Sequence, residues 1–409
     1  MSYPFWDEWS IHEEILGRGT DFGNLLFYQH NEHKIGVGLI LMKLLASCTG
    51  WSQRAEIFVT GVMLVISCLL LLDIRCRACR RKVGATDLII PLLLFSTMQW
   101  ENLVAGFQLT FILPVFFLVL SLWTLVVFKE SISRNLSLIL FAFLATYSSL
   151  HGIFVVFCCI LMLVFELIAR RRELQRKRVL LNVIAILVLG VMVMTSFIGY
   201  KNNAQAERTM PWTLAFAKYF SVAIETGFLH QVDVYRVNVW LLSFIAIVLL
   251  GGIGWVFYQF KKSNEVERLY QYIAGSILIA YVLFFVSSIA IGRASFGIWQ
   301  ATSSRYISIT ALLPIGVAII LTSRRWQWIN ILLLGALIYN TFAFNAHSLQ
   351  SLNVEITARN NAWNCYLATP PELYDNCYAI MPLFPDKEHL NQVVPELIRA
   401  RSAVNSNGQ

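Results

Sequence analysis

Charged residues are scarce in this chain. They form 14% of the 409 residues, whereas soluble proteins carry about a quarter. This scarcity excludes an ordinary soluble globular protein. The net charge of +8 does not indicate nucleic-acid binding, because the basic residues are concentrated in short segments between apolar runs. We therefore expect no nucleic-acid partner.

Cysteine spacing gives no indication of a zinc site. Cys76 and Cys79 form a CxxC pair, but no second pair and no histidine lies near them in the sequence. A structural zinc site needs four such ligands, so none is predicted there. Cys365 and Cys377 lie in the polar C-terminal segment, and we predict that they form a disulfide if that segment is exported.

Long apolar runs fill most of the chain. Hydrophobic residues make up 57% of it, and a helix needs about 20 residues to cross a bilayer. Because a backbone in lipid must satisfy its own hydrogen bonds, the spans are predicted to be helices. The sequence thus predicts an all-α membrane protein, a polytopic bundle of about ten transmembrane helices with interfacial helices on the outer side. The predicted spans are 54–74, 86–99, 106–128, 135–150, 153–169, 179–199, 237–259, 271–291, 305–322 and 327–344.

The charge distribution predicts the orientation of these spans. Short segments on one side of the bundle hold 18 of the 32 Lys and Arg residues, and 17 of the 24 Asp and Glu residues fall on the other side. Basic loops stay in the cytoplasm, so the acidic side and both termini are predicted to lie outside. We expect a transmembrane domain over 1–344, with a first external loop at 1–53, and an external C-terminal tail over 345–409.

The N-terminal segment is unusual for an external segment. Residues 1–34 are polar and show no signal peptide, since no basic region precedes an apolar core. Either this segment crosses with the first hairpin, or a further span precedes it; we favour the second. The stretch 35–48 is predicted to lie along the interface. Several short spans suggest a cavity sunk into the outer leaflet.

Polar and aromatic residues cluster in the predicted external segments. Asp7 and Glu8 stand between two tryptophans, and aromatic rings beside carboxylates suit a carbohydrate. Arg293 and Arg305 lie at an outer membrane edge, where the positive-inside rule disfavours them, and they suit a phosphate group. The candidate substrate-binding residues are Trp6, Trp9, His30, Glu32, His33, Gln99, Trp100, Glu101, Arg293, Arg305 and Tyr306. His30 and His33 would share one face of a helix, but they lack a third ligand, so no metal or other cofactor is expected.

Four of these segments together resemble a known enzyme group. WDEW, QHNEHKI, QWENLVAGFQ and GRASFGIWQATSSRY are similar in pattern to the multi-spanning GT-C-type glycosyltransferases of bacteria, and most of all to the phage- or island-encoded O-antigen glucosyltransferases of serotype conversion. The resemblance extends over most of the chain, although each motif is short. Those enzymes normally carry a transmembrane helix ahead of the acidic loop, whereas here Met1 stands six residues before Asp7.

The resemblance implies a function and a site. Such enzymes take a sugar from a polyprenyl-phosphate carrier at the periplasmic face of the inner membrane and attach it to a glycan acceptor. The implied general base is Asp7 or Glu8, and Asp7 is preferred. Arg293 and Arg305 are the implied phosphate ligands. A donor-synthesising transferase and a flippase are the implied partners, besides the lipid bilayer.

Two other functions remain open at this point. A flippase or transporter of lipid-linked sugars would place charges near the middle of its spans, and none is evident in the sequence. An O-antigen polymerase would be expected to have Arg-rich external loops, whereas these loops are acid-rich. Both comparisons favour the glycosyltransferase.

Overall fold

The computed structural model describes residues 3–17, 21–79, 82–169, 175–201, 207–228, 266–322 and 327–407. This part of the chain is almost entirely α-helical, and the predicted all-α fold is confirmed. The α-helices are α1 His12–Leu16, α2 Phe22–Leu26, α3 Gly36–Thr49, α4 Gln53–Cys79, α5 Ile89–Leu94, α6 Trp100–Val104, α7 Leu109–Val127, α8 Ile132–Thr146, α9 Ile153–Ala169, α10 Arg176–Ser196, α11 Leu214–Thr226, α12 Val266–Arg293, α13 Ser304–Thr310, α14 Leu312–Ile320, α15 Gln327–Ala368, α16 Tyr374–Ile380 and α17 Lys387–Asn407. Two short strands, β1 Gln29–His30 and β2 His33–Lys34, form an antiparallel hairpin.

Five described helical stretches are long and apolar enough to cross a membrane. They correspond to five of the ten predicted spans. Of four shorter apolar helices, three lie at or near other predicted spans and one lies at the predicted interfacial stretch 35–48. The predicted span 237–259 lies outside the described residues. The spanning stretches are Gln53–Arg77, Gly106–Val127, Leu150–Ile168, Arg176–Ser196 and Tyr270–Phe296.

The predicted span 86–99 is wrong. The structure divides this stretch into the six-residue helix α5 and two single 3₁₀ turns, Ala85–Leu88 and Thr97–Gln99. The helix ends because Ser96 caps the following turn by accepting a hydrogen bond from the Met98 amide. At the other end of the chain, α15 runs through the predicted domain boundary at 344 without a break.

An apolar stripe on α10 faces away from the bundle. Its exposed side chains recur every three or four residues, which is the spacing of one helix face. A row of exposed apolar residues of this length is typical of a surface covered by lipid. The exposed residues are Leu180, Val183, Ile184, Leu187, Val188, Val191 and Met194.

Buried charges at one end of the bundle are paired with each other. Arg134 donates two hydrogen bonds to Glu166, at 2.9 and 2.7 Å, and Arg75 forms a buried ion pair with Asp87 at 2.9 Å. All four residues adjoin segments that the charge pattern predicts to be cytoplasmic. Their carboxylates and guanidinium groups are therefore neutralised within the fold, as buried charges must be.

The N-terminal and C-terminal segments pack together. The Trp6 amide donates to the Leu383 carbonyl at 2.8 Å, and the Tyr3 ring stacks on Trp363 with the ring centroids 5.0 Å apart. The predicted Cys365–Cys377 disulfide is confirmed and joins α15 to α16. Two segments predicted on the same side of the membrane thus pack against each other.

Candidate functional site

A cavity of about 430 Å³ opens between the N-terminal segment and the ends of the long helices. It is lined by the turn at Trp6, the β-hairpin, the segments at which α7 and α9 begin, Tyr200 and Arg208 beyond α10, and the α12–α13 region. Eight of the thirteen predicted site residues lie here. They are Trp6, Asp7, His30, Glu32, His33, Arg293, Arg305 and Tyr306.

Asp7 reaches the cavity because the chain turns sharply just before it. Trp6 adopts a left-handed backbone with φ of 54°, a conformation that costs a bulky residue on the order of 1–3 kcal/mol. The bond from its amide to Leu383 holds this turn in place. A 3₁₀ turn then begins at Trp6, and it exposes Asp7 to the cavity.

Glu8 lies outside the cavity and is fully buried. Its carboxylate accepts hydrogen bonds from the Phe5 amide at 2.9 Å, and from the Phe107 amide and the Gln53 side chain. Burial raises the pKa of Glu8 to about 7, although these three donors act to lower it. Glu8 therefore anchors the Trp6 turn to α4 and to the start of α7, and only Asp7 of the acidic pair faces the cavity.

Trp9, Gln99 and Trp100 are also placed away from the cavity. Trp9 is fully buried and its ring contacts Trp51 and Trp363. The Gln99 amide donates to the Leu94 carbonyl at 2.5 Å, which satisfies the end of α5. Trp100 is the first residue of α6 and does not line the cavity. The sequence pattern shows these side chains as polar or aromatic, but it does not show which way they point.

Glu101 does not line the cavity, but it holds the backbone of residues that do. Its carboxylate accepts hydrogen bonds from the Ser304 hydroxyl at 2.7 Å and from the Arg305 amide at 3.0 Å. A carboxylate at this position satisfies the free amides of the α13 N-terminus and interacts favourably with the helix dipole. The adjacent Asn102 donates to the Arg305 carbonyl at 3.1 Å. Two neighbouring residues of α6 thus fix the backbone that carries Arg305 and Tyr306.

The two predicted phosphate ligands differ in their partners. Arg293 forms an ion pair with Glu32. Arg305 lies with its guanidinium carbon 5.4 Å from the centre of the Tyr306 ring, and its buried Nε has no hydrogen-bond partner in the described part of the chain. Within the described ranges, no carboxylate forms an ion pair with Arg305. Arg305 is consequently the arginine available to an anion.

His30 and His33 lie on the β-hairpin and not on a helix. The two residues are directly opposite each other across the strands, and Asn31 in the turn adopts a positive φ of 49°, which asparagine tolerates well. The predicted helical face shared by the two histidines is therefore wrong. Burial lowers the pKa of His33 to about 4, with further lowering from His30 and Arg305, so this imidazole is neutral at neutral pH.

The cavity also contains residues that the sequence patterns did not single out. The segment between the predicted spans 135–150 and 153–169 supplies His151 to the cavity wall. Phe107 and Phe111 stand four residues apart at the start of α7, and this helical spacing is the one signal that could have identified them. The remaining lining residues that were not predicted are Asn31, Leu150, Tyr200, Arg208, Phe285, Ser288, Ile289, Gly292 and Phe296.

The chain matches no protein-family model, no curated protein and no solved structure. The resemblance to GT-C-type glycosyltransferases therefore stays a prediction, and the geometry of the cavity has to support any function proposed for it.

Proposed function

We propose that the protein is an inverting membrane glycosyltransferase. In this proposal it moves a sugar, glucose by the resemblance, from a polyprenyl-phosphate carrier to a lipid-linked or O-antigen glycan at the periplasmic face of a bacterial inner membrane. The observation that carries the proposal is the presence, in one cavity, of the Asp7 carboxylate and of an Arg305 guanidinium that forms no ion pair with a carboxylate of the described residues.

Arg305 suits the phosphate of the donor. A guanidinium group offers several N–H donors in a planar fork that matches phosphate oxygens. When the sugar leaves, negative charge increases on the bridging oxygen of the phosphate, and a fixed positive charge nearby stabilises that transition state. Arg293 is less suited to this task because Glu32 already neutralises it.

Asp7 suits the general base. An acceptor hydroxyl attacks the anomeric carbon from the side opposite the phosphate, and the bond between that carbon and the phosphate oxygen breaks. The hydroxyl proton passes to Asp7, and the polyprenyl phosphate leaves with the bonding electron pair. General-base catalysis of this kind contributes about 10²- to 10⁴-fold to the rate.

The location of the cavity suits a lipid-linked donor. Phe285 and Arg293, both in the cavity wall, lie eight residues apart on α12. At 1.5 Å per residue the wall therefore extends about 12 Å along this spanning helix. A phosphate at the membrane surface and a polyprenyl chain in the lipid could both reach such a cavity.

The pairing of the buried charges supports an enzyme over a transporter. Arg134 pairs with Glu166, which lies 16 residues beyond the cavity-lining Leu150 along the chain. Sixteen residues of helix correspond to about 24 Å, so this pair sits near the far end of the bundle and not at its middle. Transporters place such charges near the membrane midplane.

The proposal is tested by the glycans of cells that express the protein. Cells with the wild-type chain should carry a side-branch sugar that is absent without it, and Asp7→Asn should abolish it at equal protein level. Arg305→Ala should also reduce it, and Arg305→Lys should reduce it less, because lysine keeps the charge but loses the fork. Arg399→Ala, an exposed arginine on α17, is the matched control and should have no effect. Unchanged glycan composition would refute the transferase, and a change in chain length alone would indicate a polymerase.

A further inference from the structure

Two histidines in the cavity wall are not used by the proposed reaction. His33 and His151 both line the cavity, and the ring of Phe111 lies near both of them, with centroid distances of 5.6 and 5.3 Å. We infer that His33 and His151 form the subsite that binds the hydroxyl groups of the transferred sugar. This inference rests on the proposed function and names where the donor sugar binds.

The hydrogen bond of His151 determines which of its ring nitrogens carries the proton. Its Nε2 lies 3.2 Å from the Phe111 carbonyl oxygen. A carbonyl oxygen only accepts, so Nε2 carries the proton, and Nδ1 of the neutral ring is a free acceptor. Nδ1 is buried and has no hydrogen-bond partner among the described residues. A buried acceptor left without a donor is costly, and a bound hydroxyl group would supply that donor.

In His33 the ring nitrogen left for a ligand is a donor, whereas in His151 it is an acceptor. Its Nδ1 accepts a hydrogen bond from the Leu150 amide at 3.2 Å, so the proton of the neutral ring is on Nε2. This Nε2 lies 3.6 Å from the Glu32 carboxylate, beyond the length of a good hydrogen bond. The subsite thus offers one acceptor and one donor, and a sugar hydroxyl can both donate and accept.

The surroundings favour a sugar over the other parts of the donor. The Phe111 and Phe285 rings flank His151, with Phe285 at 5.5 Å, and aromatic faces pack well against the C–H faces of a sugar ring. Neutral imidazoles do not balance the charge of a phosphate, for which Arg305 is present. A polyprenyl chain would leave the His151 acceptor unsatisfied.

The two subsites are connected through packed rings. Phe285 contacts both His151 and Tyr306, with centroid distances of 5.5 Å in each case, and Tyr306 lies beside Arg305. A sugar on His151 and a phosphate on Arg305 would therefore occupy neighbouring positions, as two directly bonded groups of one donor must.

The inference is tested with two soluble probes, citronellyl phosphate and citronellyl phosphoglucose, titrated against the purified full-length protein. His151→Gln keeps a donor for the Phe111 carbonyl but removes the Nδ1 acceptor, whereas His151→Asn places an oxygen close to the position of Nδ1. The Gln variant should bind the glucosyl probe about 3- to 10-fold more weakly than the wild type, the effect of one hydrogen bond. The Asn variant should lose less. Both should bind citronellyl phosphate as the wild type does, which also shows that they are folded.

His389→Gln is the matched control. The His389 Nε2 donates to the Trp9 carbonyl at 3.0 Å, the same kind of bond, but His389 lies outside the cavity. This variant should bind both probes normally. A deoxyglucosyl probe that lacks the hydroxyl facing His151 should bind the wild type and His151→Gln equally.

Three results would overturn the inference. Full affinity of His151→Gln for the glucosyl probe would show that the imidazole does not contact the sugar. Equal affinity of the wild type for the two probes would exclude a sugar subsite while leaving the phosphate site of the proposed function intact. A wild type that binds neither probe, or whose affinity for both is unchanged in Arg305→Ala, would refute the proposed function and the inference together.

Discussion

Truncation of the two adjacent acidic residues should have opposite consequences. Asp7→Ala removes the proposed base from a partly exposed position, so sugar transfer should fall by about 10²-fold or more with little change in stability. Glu8→Ala removes a fully buried carboxylate, so stability should fall while the folded fraction keeps its activity. Each variant is the control for the other, because an acidic side chain is truncated to Cβ at neighbouring positions.

The magnitude for Glu8 follows from its hydrogen bonds. Its carboxylate accepts from two backbone amides, those of Phe5 and Phe107. An unsatisfied buried amide costs about 1–3 kcal/mol, so Glu8→Ala should cost about 2–6 kcal/mol, apart from the lost bond to Gln53. A loss of this size is a large part of the stability of a typical protein.

Two measurements separate these effects. Thermal unfolding of the detergent-solubilised protein reports stability, and release of polyprenyl phosphate from polyprenyl phosphoglucose in membrane vesicles reports transfer per folded molecule. The reasoning would be refuted if Glu8→Ala unfolded at the wild-type temperature but was inactive, and Asp7→Ala was active. The base would then be Glu8, and the buried carboxylate would have to reach the substrate.

Three further outcomes are expected. Glu101→Ala should weaken binding of citronellyl phosphate about 3- to 10-fold without removing Arg305, because the α13 N-terminus loses its cap; wild-type affinity would contradict a positioning role. Gly152→Ala should destabilise the protein by about 1–3 kcal/mol, since an added Cβ would lie 1.7 Å from the Ala145 carbonyl oxygen; an unchanged unfolding temperature would show that this close approach is relaxed in the protein. Burial raises the pKa of Glu8 from its ordinary 4.5 to about 7, so the folded state binds this proton more tightly. Stability should therefore fall between about pH 4.5 and 7 by on the order of 3 kcal/mol, and thermal unfolding of Glu8→Gln should show a shallower slope over this range than the wild type.

The apolar runs predicted the long helices because each run is long enough to form a helix of spanning length by itself. A stretch such as 179–199 is apolar over more than 20 residues, and the helix Arg176–Ser196 follows it closely. The stretch 86–99 is equally apolar in part, but local polar contacts end its helix. Gln99 satisfies the Leu94 carbonyl, and that bond depends on a fold-back that composition does not reveal.

The sequence predicted which segments form the site, but it did not predict the role of each residue. Arg293 and Arg305 look equivalent in sequence, since both are arginines at an outer membrane edge. Glu32 distinguishes them by pairing with Arg293, and it lies 261 positions away in the chain. His151 was missed for a related reason, because its unsatisfied Nδ1 exists only where Phe111 accepts from the other nitrogen.

The contact between Glu101 and α13 gives a physical reason why two of the external motifs belong together. QWENLVAGFQ and GRASFGIWQATSSRY are separated by roughly 200 residues, yet the Glu101 carboxylate and the Asn102 amide hold the two ends of the Ser304–Arg305 segment. A carboxylate near an arginine usually neutralises it, but here Glu101 accepts from the Arg305 backbone amide, and the guanidinium remains without an ion pair among the described residues. The carboxylate of the acidic motif can therefore position the arginine of the basic motif without forming an ion pair with its guanidinium group. The proposed anion site on α13 needs this arrangement, since an arginine paired with its own neighbour could not bind a phosphate.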